Sequence, residues 1–404
     1  MTETPAHPTP APEQTSGQTS GQTSGQAKDT VFLHIGTRKS GTSYLQKALR
    51  ESVPQLEAQG LNLAYHTRKG QVERQLTPFQ EYAAGGPRAA VEASNAELLQ
   101  RITKATQTRH LITLEDLAEL PEQAADALVE PLLEFDLHLV VTARHWGLTI
   151  PSEWQQDVKE RKSVTYRDFL DAIRDRTPGS AQFLMRQDLP VLLQRWGKHL
   201  PADRIHVVAV PPSSRTEGTL MELFCGLIGV DPSTLKIPTG DINASISLDQ
   251  AELLRQVNIA LGDRLPDLEG DYRFGVREWL TRGSLMKRKS GSIRIPAEDA
   301  GWCTEAAQAQ FDAVKGLGVD LIGDPADLVV AAGTKTGPAA VSETEVNDVA
   351  VNALADLATR HWAELSEQAA ERAALVAERD ALAARIAELE APKSFRERLR
   401  DLRG

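Results

Sequence analysis

Residues Gly36 to Ser43 read Gly-Thr-Arg-Lys-Ser-Gly-Thr-Ser. Glycines at 36 and 41 let the backbone wrap a phosphate, the N–H groups of a following helix point at it, and Lys39 with the hydroxyls of Ser40, Thr42 and Ser43 completes the cradle. A turn that only reversed the chain would need neither the lysine nor the hydroxyls. The apolar run Val31-Phe32-Leu33-His34-Ile35 precedes the loop and the helix-like Tyr44 to Arg50 follows it, so the order is strand, loop, helix. In a nucleoside-triphosphate loop, G-x-x-x-x-G-K-[ST], the lysine follows the second glycine; here Thr42 stands there and Lys39 lies two residues before Gly41. That displacement argues against a lysine reaching β- and γ-phosphates.

A second group lies downstream. The apolar run Leu137 to Ala143 ends in Arg144, and Ser152 follows eight residues later, at what reads as a helix start. The planar fork of arginine donates two parallel hydrogen bonds to a phosphate, and a serine hydroxyl and a helix N-terminus add neutral donors. With these two groups in this order, the chain resembles the sulfotransferases that use 3′-phosphoadenosine 5′-phosphosulfate (PAPS), in a bacterial, actinobacterial-type branch. The loop is similar to that family's P-K-[ST]-G-T-[ST] pattern, with Arg38 where the family has proline. Arg144 and Ser152 have the spacing of its 3′-phosphate pair, and Arg288-Lys289-Ser290-Gly291 is similar to the R-K-G element that closes over the same phosphate. Tyr166 to Leu170 and the segments from Asn243 to Asn258 look similar too, so the resemblance spans Val31 to Leu328.

The resemblance implies a P-loop-like three-layer α/β/α fold and PAPS as co-substrate. Arg38, Lys39, Ser40, Gly41, Thr42 and Ser43 would hold the 5′-phosphosulfate, and Arg144, Ser152, Arg288 and Lys289 the 3′-phosphate. Lys39 would meet the charge that grows on the leaving oxygen. A hydroxyl acceptor needs a general base, a histidine or glutamate near a strand end in that family; Glu115, after His110 to Leu114, is the first candidate and His66, after Leu61 to Tyr65, the second. No cluster has metal-ligand spacing, and no metal is expected.

These groups need a scaffold. Apolar runs at Leu61–Tyr65, His110–Leu114, Leu137–Ala143 and Ile205–Val210 alternate with helical periodicity, which predicts an α/β domain with a mostly parallel sheet covered on both faces. Ligands in such sheets sit beyond the carboxyl ends of the strands. The domain is expected over 29–331. It follows a disordered leader, 1–28, that carries the repeat Gln-Thr-Ser-Gly, and precedes a linker at 332–342. A helix over 343–404, with Leu375, Leu382 and Leu389 seven apart, could form a short coiled coil and a homodimer.

A formal charge of −11 argues against nucleic-acid binding while leaving room for a local cationic pocket. Cys225 and Cys303 are far apart and read as buried thiols. With no apolar leader and no long apolar stretch, neither a signal peptide nor a membrane span is expected, and the cytoplasm is the expected location. The acceptor could be a small molecule, a carbohydrate or a glycolipid, taking the sulfuryl group on a hydroxyl or an amine. Two other functions fit the loop: a P-loop nucleotide or small-molecule kinase using ATP and Mg²⁺, and a non-catalytic anion-binding scaffold.

Overall fold

The computed structural model describes residues 28–65, 71–212, 216–238, 245–268, 270–288, 291–329 and 335–390. The expected leader, apart from Lys28, lies outside the described residues, as do His66, Asn243, Ala244, Lys289 and the last fourteen positions, 391–404.

Six strands form one sheet: β1 (Thr30–His34), β2 (Leu61–Tyr65), β3 (Arg109–Thr113), β4 (Asp136–Ala143), β5 (Ile205–Ala209) and β6 (Asp320–Ile322). Their order is β2-β3-β1-β4-β5-β6 and every pairing is parallel. The short β6 has only three residues, too few for an alternation signal, and was not expected from the sequence. From β1 the chain leaves toward β2 on one side, and from β4 it leaves toward β5 on the other. The switch in direction therefore opens a crevice at the carboxyl ends of the two central strands.

Both faces of the sheet are covered, which explains why the strands read as nearly continuous apolar runs. Side chains alternate across a strand. Val31, Leu33 and Leu139 pack toward one helical layer with Leu98, Leu128 and Trp196, while Phe32, Val140 and Val208 pack toward the other with Leu45, Leu49 and Phe224. The result is a three-layer α/β/α domain. A second core, built on Trp154, Tyr166, Phe169, Leu254 and Tyr272, lies among the helices that follow β4.

The stretch expected as a linker is tied down where it is described. Gly337 donates its backbone N–H to the Ile295 carbonyl at 3.1 Å, and Val341 packs against the second core. The terminal helix, Glu343–Glu390, then buries Val346 and Ala353 in the same core. Farther along it Trp362, Leu375, Leu382 and Leu389 are exposed. Its first part grips a π-helix, Arg273–Arg282. Arg360 lies 4.5 Å over the Trp279 ring, Asp356 accepts from the Ser284 hydroxyl at 2.7 Å, and Arg288 pairs with Asp356 at 2.9 Å.

Candidate active site

The loop after β1 is held down by β4. Ile35 and Thr37 donate their N–H groups to the Val140 and Thr142 carbonyls at 3.0 and 2.9 Å, so the chain keeps pairing past the end of the strand. Gly36 is required by packing: a Cβ there would lie 2.3 Å from Thr142 Oγ1 and 2.4 Å from Thr42 Cγ2. Gly36→Ala is expected to lower stability by about 1–3 kcal/mol through overpacking, read as a lower urea midpoint at unchanged slope. Gly41 is required by conformation, at φ 84°.

Lys39 is held at φ 67°, a left-handed backbone that costs a non-glycine residue roughly 1 kcal/mol or more. The side chain retained at that cost reaches the cleft, where its ammonium donates to Gln156 Oε1 at 2.9 Å. Burial and the neighbouring Arg38 guanidinium hold this amine below the ordinary lysine range, against the pull of Glu115, Glu153 and Glu160.

Helix Thr42–Glu51 starts at Gly41 with no side-chain cap and no acidic residue in its first turn. Its first N–H groups and the positive end of its dipole therefore face the cleft without an acidic cap. Glu115, just past β3, borders the same loop. Its carboxylate accepts the Lys39 backbone N–H at 3.3 Å and a hydrogen bond from the Thr42 hydroxyl. Burial, with Asp116 beside it, raises its carboxyl above the usual range, although the Thr42 bond and the cations Arg38 and Lys39 oppose the rise.

A cleft of about 510 Å³ joins these groups. Arg38, Lys39, Gly41, Thr42 and Ser43 form one wall, Glu115 and Asp116 a second, and Arg144, Ser152, Gln155, Gln156 and Lys159 a third. Arg277, Thr281 and Arg282 of the π-helix, with Ser245 and Met286, complete it. The lining carries six cations against two carboxylates, in a chain whose formal charge is −11.

Arg144 follows β4, and burial alone holds its guanidinium below the ordinary arginine range. Among the described residues it meets no carboxylate. Arg38 is in the opposite state: it is clamped by Glu160 and, at 3.7 Å, by Glu153, which overcome burial and raise its basicity.

The loop, Arg144, Ser152 and Glu115 are thus brought to one cleft, and three expectations are corrected. Ser40 is fully buried, with its hydroxyl bonded to the Thr37 carbonyl and, at 2.8 Å, to Thr142 Oγ1, so it secures the loop and offers no hydroxyl to a ligand. Arg288 is drawn onto Asp356 of the terminal helix and does not line the cleft. Ser152 lies well inside a helix, Trp146–Lys159, because Pro151 is accommodated within it; the helix start itself is at His145 and Trp146, beside Arg144. His66 and Lys289 fall outside the described residues.

Lys159, Gln156, Arg277, Thr281 and Arg282 were not anticipated from the sequence. Lys159 was legible, since it stands seven residues after Ser152, two turns along one helical face. Arg277 and Arg282 carry no such signal, because a spacing of five matches only a π-helix.

No group of three or more histidine, cysteine, aspartate or glutamate side chains among the described residues could hold a metal ion, and no described helix is long and apolar enough to cross a membrane. Compared with known protein families, curated proteins and solved structures, the chain matches none of them.

Proposed function

We propose that this protein is a P-loop-like sulfotransferase that moves the sulfuryl group of PAPS to a hydroxyl of a small-molecule, carbohydrate or glycolipid acceptor in the cytoplasm. The observation that carries the reading is Arg144. A largely buried cation with no counter-charge among the described residues is expensive unless an anion completes it. It shares its cleft with an uncapped helix N-terminus and Lys39, so the protein offers two separate places for negative charge, as a nucleotide phosphorylated at both 3′ and 5′ positions requires.

Bound there, PAPS would supply an activated sulfuryl group and a stable leaving bisphosphate. Arg144 and Ser152 would hold the 3′-phosphate, and the N–H groups and hydroxyls of Thr42 and Ser43 the 5′-phosphate. Glu115 takes the proton of the acceptor hydroxyl as that oxygen bonds to sulfur, and its raised basicity suits the task. Lys39 meets the charge that gathers on the 5′-phosphate oxygen as its bond to sulfur breaks.

Calorimetric titration with 3′-phosphoadenosine 5′-phosphate tests the reading. Binding is expected for the wild type, with ATP and Mg²⁺ much weaker, and Arg144→Ala is expected to weaken the bisphosphate about 10- to 100-fold, the worth of a charge-assisted hydrogen bond. ATP binding without bisphosphate binding would refute it, as would an Arg144→Ala protein that binds the bisphosphate unchanged.

A further inference from the structure

The cleft is lined by cations beyond those assigned to the proposed co-substrate, and Lys159, Arg277 and Arg282 stand together at one end. Helix Trp146–Lys159 runs along the cleft, with Arg144 before its first residue, Ser152 in the middle and Lys159 as its last. From Ser152 to Lys159 the axis advances roughly 10 Å. Lys39 bonds Gln156 near the Lys159 end, so the transferred group belongs there and the 3′-phosphate farther back toward Arg144.

Beyond Lys39 stands the wall from the π-helix. This π-helix runs through ten residues, where single turns, frequent at functional sites, are usual. Its i to i+5 repeat brings Arg277 and Arg282 to one side, with Thr281 between them, and all three line the cleft. Thr281 is 3% exposed and its hydroxyl has no hydrogen-bond partner. An orphaned buried hydroxyl costs about 1–3 kcal/mol and calls for an acceptor atom. Arg282 pairs with Glu278 at 2.7 Å, but that pair is largely exposed and weak. Lys159, whose ammonium donates to Gln155 Oε1 at 2.8 Å, is pushed down to about 8 by burial and by the charges of Lys39, Arg282 and Arg277, so each of these three acts on it across the cleft.

We propose that Lys159, Arg277, Thr281 and Arg282 form a second oxyanion subsite facing the phosphate loop, and that the acceptor is therefore an acidic molecule, carrying a carboxylate, sulfate or phosphate besides the hydroxyl that is sulfated. The inference rests on the sulfuryl-transfer reading, with Arg277, Thr281 and Arg282 as the specificity-determining group. The anion satisfies the Thr281 hydroxyl and separates the like charges, and it orients the acceptor with its hydroxyl toward Glu115.

The test uses the full chain, folded as judged by thermal melting, and inorganic sulfate as the probe. Sulfate titrated into protein saturated with 3′-phosphoadenosine 5′-phosphate is expected to bind at a second site. Binding should weaken about tenfold or more in the Arg277→Gln/Arg282→Gln protein, and less in Thr281→Val, while bisphosphate affinity changes little. In turnover with labelled PAPS, 4-nitrophenyl glucuronide should outperform 4-nitrophenyl glucoside for the wild type, and the double substitution should remove the difference.

Absence of sulfate binding to the saturated protein would overturn the subsite. So would a parallel loss of bisphosphate affinity in the double variant, which would assign the arginines to the nucleotide's own phosphates. If the wild type binds no bisphosphate, the sulfuryl-transfer reading fails by itself. Sulfate binding to the free protein still decides the subsite: loss on Arg277→Gln/Arg282→Gln with retention in Lys39→Ala keeps it, and the reverse removes it.

Discussion

Lys39→Ala is expected to lower kcat for release of 3′-phosphoadenosine 5′-phosphate from PAPS by about 10²- to 10³-fold, the range seen when one preorganised donor to a developing oxyanion is removed. KM for PAPS should move far less, because the growing charge on the leaving oxygen exists only in the transition state. The split between the two constants is the diagnostic. On the proposed reaction the ground state would keep Arg144, the Thr42 and Ser43 donors and the helix N-terminus, all of which share the cleft, whereas the transition state would lose the one ammonium at the loop. Lys39→Arg should rescue poorly, since the left-handed backbone at φ 67° and the contact with Gln156 place a single ammonium. Equal losses in kcat/KM through KM alone would show that Lys39 only binds, and would remove it from the chemical step.

The second large effect is on stability against acid and centres on His34. This residue ends β1 in the middle of the sheet, wholly buried, and its ring joins Thr113 of β3 at 2.9 Å to Thr142 of β4 at 3.2 Å. Burial lowers its pKa from 6.5 to about 3. The unfolded chain therefore binds a proton below about pH 6.5 that the folded chain refuses until about pH 3, so stability is present at neutrality and falls as pH drops through that window. At pH 5 the difference of about 1.5 units is worth ~2 kcal/mol, and the full shift about 5 kcal/mol. Burial lowers His145 to about 4 with help from Arg144, and it pulls the same way. Urea unfolding of wild type and His34→Gln at pH 7 and pH 5 isolates the contribution of His34, since the buried carboxyls Glu115, Asp116 and Glu153 contribute equally to both proteins. The loss between the two pH values should be smaller in the variant by ~2 kcal/mol; identical losses would show that His34 is not the group that titrates.

What could be read from the chain alone follows how local each interaction is. The strand, loop and helix around Gly36 to Ser43 depend on neighbours in sequence, and the parallel α/β sheet on apolar runs. Arg144 and Ser152 were legible because both belong to one strand-to-helix passage. Ser40 was misplaced because its hydroxyl is bonded by Thr142, 102 residues away. Arg288 was misplaced because its partner Asp356 lies 68 residues on, in a helix read as separate from the domain. Pro151 hid the true start of helix Trp146–Lys159, since proline is usually read as a boundary and here lies inside. The wall from Arg273–Arg282 had no periodic signature, and β6 was too short to have one.

The terminal helix has a mechanical meaning that its position at the end of the chain conceals. A rod of 48 residues is about 70 Å long. Its near end is fastened through Arg360 on Trp279 and Asp356 on Ser284 and Arg288, on and just past the segment that presents Arg277, Thr281 and Arg282. Gly283 sits at the joint, where any Cβ would run into the Trp279 backbone carbonyl and the Arg360 guanidinium. A truncation at the glycine-rich stretch before Val341 would thus remove the brace of a cleft wall along with an appendage. The exposed far end, with Leu375, Leu382 and Leu389, is continuous with the stretch that braces that wall, so one unbroken helix links the outer surface to the cationic cleft.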